Sequence, residues 1–284
     1  MAEIYTEFFG FKERPFTLLP DPEFLFWSQA HTRAFSVLEY GVMTRAPITV
    51  ITGEVGAGKT TLVRKLISAV DSDVTVGLVS HAVAREAALI PWVMSALNIR
   101  PEPGASSVQL FDAFQAYVVD QYAHGKRVVL IFDEAQGLSQ ANLEELRMLT
   151  NINSDKDELL QLILVGQPEL RNIISKPELR QFAQRVTANF HLRAMDRTTT
   201  ADYIRHRLTV AGGTGHEFTE EAAHRVHDVT QGVPRLVNQV ADFCLVYAMA
   251  DNEKLVLTST VDQVLQDQVF FSGGHVDCEK RNAD

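Results

Sequence analysis

The residues Gly53-Glu54-Val55-Gly56-Ala57-Gly58-Lys59-Thr60, with Thr61 next, fill every fixed position of the pattern G-x-x-x-x-G-K-[ST]. The glycines let the backbone curl until its N–H groups point at phosphate oxygens. A helix starting at Lys59 adds the positive end of its dipole. Lys59 would then reach the β- and γ-phosphates of a nucleoside triphosphate, and the Thr60 hydroxyl would ligate Mg2+. Further along, the apolar run Val128–Phe132 leads into Asp133-Glu134. Adjacent carboxylates at the carboxyl edge of a central strand suit two jobs: Asp133 in the metal shell, Glu134 polarising the water that attacks the γ-phosphate. No [NT]-K-x-D sequence is present to read guanine, so the expected nucleotide is ATP.

Other polar residues fall into place around this pair. Leu160–Val165 ends in Gly166-Gln167. Gln167 at a strand tip is placed to sense the γ-phosphate or hold the water; its alternative is a loop amide bonded to local backbone. Residues 169–197 collect Arg171, Lys176, Arg180, Arg185, Arg193 and Arg197 against Glu169, Glu178 and Asp196. An arginine there could enter a neighbouring copy's ATP site and stabilise transition-state charge. Arg185, just before the last strand, is the first choice and Arg180 the second; the alternative is a solvated or salt-bridged face. Gly232-Val-Pro-Arg235 opens a helix. A cation at a helix N-terminus opposes the dipole, which points to an outside anion such as a nucleotide phosphate. His31, His81, His191 and His224 have no metal spacing, and Ser80 has no nucleophile-elbow context.

Alternating elements must hold these groups. Short apolar runs read as strands at 48–52, 74–79, 128–132, 160–165 and 188–192, with helical patterns between them. That order predicts a parallel sheet covered on both faces by helices. A helix is expected over 29–43, at 59–70, 85–97, 108–124 and 140–151, and in two short pieces over 169–185. After Ala194 the pattern is helical throughout, with Thr219 as an N-cap and an apolar face on 235–249. The organisation expected is an aromatic-rich segment, 1–46, packed on the core; a P-loop core, 47–194; a helical lid, 195–270; and a disordered polar tail, 271–284. The aromatics of the first segment read as packing rather than as a stacking platform for bases.

Composition narrows the class. The chain has 284 residues, 46% hydrophobic and 22% charged, with a formal net charge of -10. These values exclude a disordered chain and a collagen, and they argue against a nucleic-acid coat protein. Cys244 and Cys278 lie far apart without metal spacing, as in a reducing compartment. No apolar run approaches the length of a membrane helix, and the start lacks a secretory signal. A cytoplasmic protein is expected, peripheral to the inner membrane only through a partner.

With these motifs placed, the chain resembles the AAA+ ATPases over residues 20–270. That resemblance implies a P-loop NTPase (AAA+) α/β core with a small C-terminal helical lid, and makes Arg235 the lid arginine that contacts the γ-phosphate. A narrower likeness follows from Phe8-Phe-Gly-Phe-Lys-Glu-Arg-Pro-Phe16, Pro20-Asp-Pro22, Asp133-Glu-Ala-Gln136, Leu143-Glu-Glu-Leu-Arg147, Val165-Gly-Gln-Pro-Glu-Leu170 and Gly232-Val-Pro-Arg-Leu-Val-Asn238. In these words the chain is similar to the general secretion pathway protein A family, which includes ATPases of exosortase and exopolysaccharide loci. The resemblance implies a homo-oligomer that uses ATP and Mg2+ to drive or regulate assembly of a partner complex, membrane-associated in secretion or polysaccharide export. Secretion members carry a membrane span and a peptidoglycan-binding region after the ATPase, and this sequence stops after the lid, so a stand-alone ATPase is expected. The second reading is an ATP-switched DNA-binding adaptor of the transposition type, motivated by the basic stretch 169–197. A third is a small-molecule kinase, which needs neither the Asp-Glu pair nor the Gly-x-Pro-Arg lid.

Overall fold

The computed structural model describes residues 5–18, 23–80, 88–152, 157–267 and 269. The chain divides into two compact units. One holds Gln29–Glu54 and Lys59–Leu192; the other holds the residues up to Ser28, Val55–Gly58 and those from Arg193 on.

The first unit is built on five parallel strands: β1 Ile48–Gly53, β2 Val74–Val79, β3 Arg127–Phe132, β4 Leu160–Gly166 and β5 Val186–Leu192, in the order β2-β3-β4-β1-β5. β1 and β4 are buried at every residue, and β3 at all but its first. Continuous apolar runs are what a strand needs when helices cover both faces. The order puts β4 between β3 and β1, with Thr52 opposite Gly166 and Phe132 opposite Leu164. The carboxyl ends of β1, β4 and β3 therefore lie side by side, although the chain reaches them far apart in sequence.

Close packing fixes the helices. Gln29–Met43 has the expected bounds. It lies on β1 through Gly41, where a Cβ would come 2.3 Å from Thr49 Oγ1. The buried Gln161 amide on β4 donates to the Gly41 carbonyl at 3.0 Å. Gln140–Leu149 starts at a capping box in which the Ser139 hydroxyl accepts from Asn142 N–H at 3.1 Å. The helix expected over 85–97 is Ile90–Ala96, and residues 81–87 lie outside the described set. The last strand begins two residues earlier than expected, at Val186.

The second unit contains the helices Arg197–Val210, Glu220–Thr230, Pro234–Ala250 and Thr258–Gln266. Asp196 and Thr219 cap the first two, accepting from Thr199 N–H at 2.7 Å and Ala222 N–H at 3.1 Å. The aromatic segment corrects the sequence reading. Tyr5, Phe11, Phe16 and Phe24 bury in one core with Ile204, Leu208, Val240, Cys244 and Val261, so this segment belongs with the helices and only Gln29–Met43 stays with the sheet. The physical reason is size. A few short helices cannot bury their apolar faces alone, and the aromatics complete that core. Arg207, only 6% exposed, secures the join. Its guanidinium stacks on Phe24 at 4.5 Å and donates to the Pro15 carbonyl at 2.6 Å. Tyr5 and Arg14 both bond Asp242 on the helix Pro234–Ala250. Burial and the Asp242 charge push the Tyr5 hydroxyl far above its ordinary pKa. The expected tail 271–284, Pro20-Asp-Pro22, His81 and Cys278 fall outside the described residues. No helix among the described residues is long and apolar enough to cross a membrane.

Candidate functional site

Lys59 opens the helix Lys59–Ala69 directly after the glycine-rich turn. Its ammonium is almost wholly buried and donates to the carbonyls of Gly53 and Glu54, each at 2.8 Å. Burial lowers its pKa, while Glu134, Asp133 and Glu54 pull it back up, Glu134 most. A cation held on backbone carbonyls is poised to trade them for phosphate oxygens. Gly56 and Gly58 take the left-handed backbone, with φ of 78° and 89°. A side chain there would be strained, and this is why the pattern demands glycine.

One residue further, Thr60 Oγ1 donates to Asp133 Oδ2 at 2.9 Å. The two sequence-expected metal ligands are thus neighbours, although β1 and β3 are not. A hydroxyl and a carboxylate oxygen are the hard donors that Mg2+ takes, alongside water and phosphate. The donor set fits the ion.

Glu134 follows in the left-handed region, φ 57° and ψ 36°. Its Oε2 accepts from Gln167 Nε2 at 3.2 Å and from Gln136 Nε2 at 2.6 Å. The structure therefore brings Gln167 to Glu134, as a polar group at the β4 tip. Gln136 was visible in the sequence only as one letter of a family word. The signal that could have found it is its place two residues after the glutamate, across a tight turn.

The lid motif is held by its glycine. Gly232, φ 70°, lies so close to Met195 that a Cβ would come 1.9 Å from the Met195 carbonyl oxygen, and the Gly232 carbonyl accepts from Met195 N–H at 3.0 Å. Pro234 then starts the helix and Arg235, exposed, follows it. Arg235 lies beside Gly56 of its own unit, where a Cβ on Gly56 would come 2.6 Å from the Arg235 Cβ.

Arg185 is placed differently from its sequence reading. Its guanidinium donates to Thr150 O at 3.0 Å, to Thr150 Oγ1 at 2.6 Å and to Asn151 Oδ1. It closes the carboxyl end of Gln140–Leu149, where exposed carbonyls attract a cation. Arg180 is exposed, and its side chain makes no hydrogen bond to a described residue. Arg197 pairs with Asp228. His191 Nδ1 lies 3.0 Å from Thr52 Oγ1, in hydrogen-bonding range, and no cluster of metal-ligating side chains occurs among the described residues.

The family model described as an AAA domain matches residues 42–174. General secretion pathway protein A of Aeromonas hydrophila is 37% identical over 247 residues, an alignment covering 87% of this chain and 45% of that protein. The chain therefore spans less than half the length of this curated relative. Among solved structures, the ORC2 protein of Aeropyrum pernix in its ADPNP-ADP complexes superposes with a TM-score of 0.64 at 16% identity, covering 90% of this chain and 72% of that one. Cdc6p of Pyrobaculum aerophilum gives a TM-score of 0.66 at 15% identity, with 89% and 72% covered. At these identities the likeness concerns the fold.

Proposed function

We propose that the chain is an AAA+ P-loop ATPase, similar to general secretion pathway protein A, that hydrolyses MgATP to drive or regulate assembly of a partner complex in envelope secretion or polysaccharide export. The observation that carries the ATPase part is the juxtaposition at one sheet edge of Lys59, the Thr60–Asp133 pair and Glu134.

In this reading Lys59 leaves the Gly53 and Glu54 carbonyls for the β- and γ-phosphates. Thr60 and Asp133 hold Mg2+, which when bound neutralises charge on the phosphate oxygens. Glu134 takes the proton of the attacking water, and Gln167 keeps the carboxylate aimed while marking the γ-phosphate position. Arg235, beside Gly56, reports that phosphate to the lid helices. The protein is proposed to act as a homo-oligomer in the cytoplasm and to reach the membrane through its partner. Arg180 rather than Arg185 is assigned to the neighbour's site, because Arg185 is spent on its own chain.

Steady-state phosphate release tests this. Lys59→Ala and Glu134→Gln should each lower turnover by about a hundredfold or more, and unchanged turnover in both would sink the assignment. Mixing Arg180→Ala with Lys59→Ala subunits should restore part of the rate; absence of rescue in mixed assemblies removes Arg180 from the mechanism.

A further inference from the structure

We propose that Gln136 is a positioning residue that holds the Glu134 carboxylate and couples it to the tip of β4. The inference rests on the ATPase reading above. Glu134 leaves β3 in the left-handed region, and the short 3₁₀ turn Ala135–Gly137 follows at once. This turn brings the Gln136 amide back over the residue two positions before it. Gln136 Nε2 donates to Glu134 Oε2 at 2.6 Å, and Gln136 Oε1 accepts from the Gln167 backbone N–H at 2.9 Å. Both ends of one amide are used, which settles its orientation: reversed, it would set an NH2 against an N–H and an oxygen against a carboxylate. Gln167 Nε2 donates to the same Glu134 oxygen at 3.2 Å. Oε2 therefore takes two donors and Oε1 is left for the proton of the attacking water.

The room for this arrangement comes from a second place in the chain. Gly166 ends β4, and a Cβ there would lie 2.9 Å from Gln136 Oε1 and 3.1 Å from Gln136 N. Its φ is not positive, so the glycine serves space, not backbone freedom. Gly166 also pairs in register with Thr52, the penultimate residue of β1 before the phosphate loop. A displacement of the β4 tip as the γ-phosphate comes or goes is thereby passed to Glu134 through the Gln136 side chain, beside the longer direct bond from Gln167. Glutamine suits this task by carrying donor and acceptor together. Asparagine is one methylene shorter, and glutamate would set a second carboxylate against the first.

The test measures kcat and KM for ATP across pH in the wild type, Glu134→Gln, Gln136→Ala, Gln136→Glu and Gly166→Ala. Gln136→Ala should lose about tenfold or more in kcat with KM for ATP within about twofold, the signature of an interaction used after binding. Gly166→Ala, which displaces the same amide, should show the same split. Gln136→Glu should be as slow near pH 8 and gain relative to wild type as pH falls, because one of two adjacent carboxyls is then protonated and donates again to Glu134. That profile separates positioning from general loosening of the fold, which no change of pH would repair. A Gln136→Ala kcat within about twofold of wild type, or a Gln136→Glu profile parallel to wild type, overturns the inference. If the wild type releases no phosphate, or Glu134→Gln matches it, the ATPase reading fails and takes this one with it.

Discussion

Replacing Gly232 by alanine should damage the helical unit far more than the same change at Gly10. Both glycines sit in the left-handed region, with φ of 70° and 79°, and both belong to that unit. Alanine in this conformation costs about 1–2 kcal/mol wherever it occurs. At Gly10 a Cβ would meet nothing within 4 Å, so that cost is the whole effect. At Gly232 it would come 1.9 Å from Met195 O and 2.8 Å from Met195 C. These are backbone atoms and cannot rotate aside, so the two segments must part by more than about 1 Å to regain van der Waals distance. Parting them breaks the 3.0 Å bond from Met195 N–H to the Gly232 carbonyl, worth about 1 kcal/mol net, and adds overpacking strain of about 1–3 kcal/mol. The expected loss is about 3–6 kcal/mol at Gly232 against about 1–2 at Gly10. For a unit of this size each kcal/mol moves the melting point by about 4–8 °C, so calorimetry on the full chain separates the variants. Arg235 lies three residues later, in the first turn of the helix Pro234–Ala250, so Gly232→Ala should also reduce ATP turnover below its melting point. A Gly232→Ala transition within about 0.5 kcal/mol of Gly10→Ala would refute the close approach on which this reasoning depends.

Two further outcomes follow from the geometry. Thr60→Val and Asp133→Asn should each raise the Mg2+ concentration for half-maximal phosphate release by about tenfold or more, and chelation of the metal should stop turnover in the wild type; equal Mg2+ dependence in all three removes these residues as ligands. Stability of the helical unit should decline as pH falls below about 6.5, the ordinary histidine value, because His206 is held neutral in the fold. Burial and the Arg207 charge lower its pKa, its ring packs 5.4 Å from Phe26, and its buried Nε2 has no hydrogen-bond partner among the described residues. The unfolded chain binds a proton there before the folded one does, so acid favours unfolding while stability is flat above that range; urea midpoints against pH should level out in His206→Gln, and an unchanged acid slope would count against it.

Which parts of this molecule could be read from its sequence follows from the range of the forces involved. The helix Gln29–Met43 and the strands of the parallel sheet were legible because burial imposes a period on the chain itself. The turn between Gly53 and Lys59 was legible because Gly56 and Gly58 answer a local demand of the backbone. The Asp133-Glu134 pair stood out because the run Val128–Phe132 before it is apolar throughout. Periodicity says that a residue is buried, but not against what. Tyr5, Phe11, Phe16 and Phe24 were read correctly as packing and joined to the wrong unit, since nothing in their spacing names the helices that cover them. Arg185 illustrates a second limit. A cation in a basic stretch is attracted by any exposed carbonyls within reach, and the end of Gln140–Leu149 lies within hydrogen-bonding distance of Arg185. Gln136 illustrates a third. Its partner is two residues away, a separation at which side chains on a helix do not face each other. They meet because Glu134 takes a conformation that L residues seldom adopt. A left-handed glutamate at the end of a strand leaves no trace in the sequence, since the residue type does not call for it. The proposed catalytic edge was therefore readable as a set of residue types, while the bonds made by the Glu134 carboxylate depend on one backbone angle and one missing Cβ at Gly166.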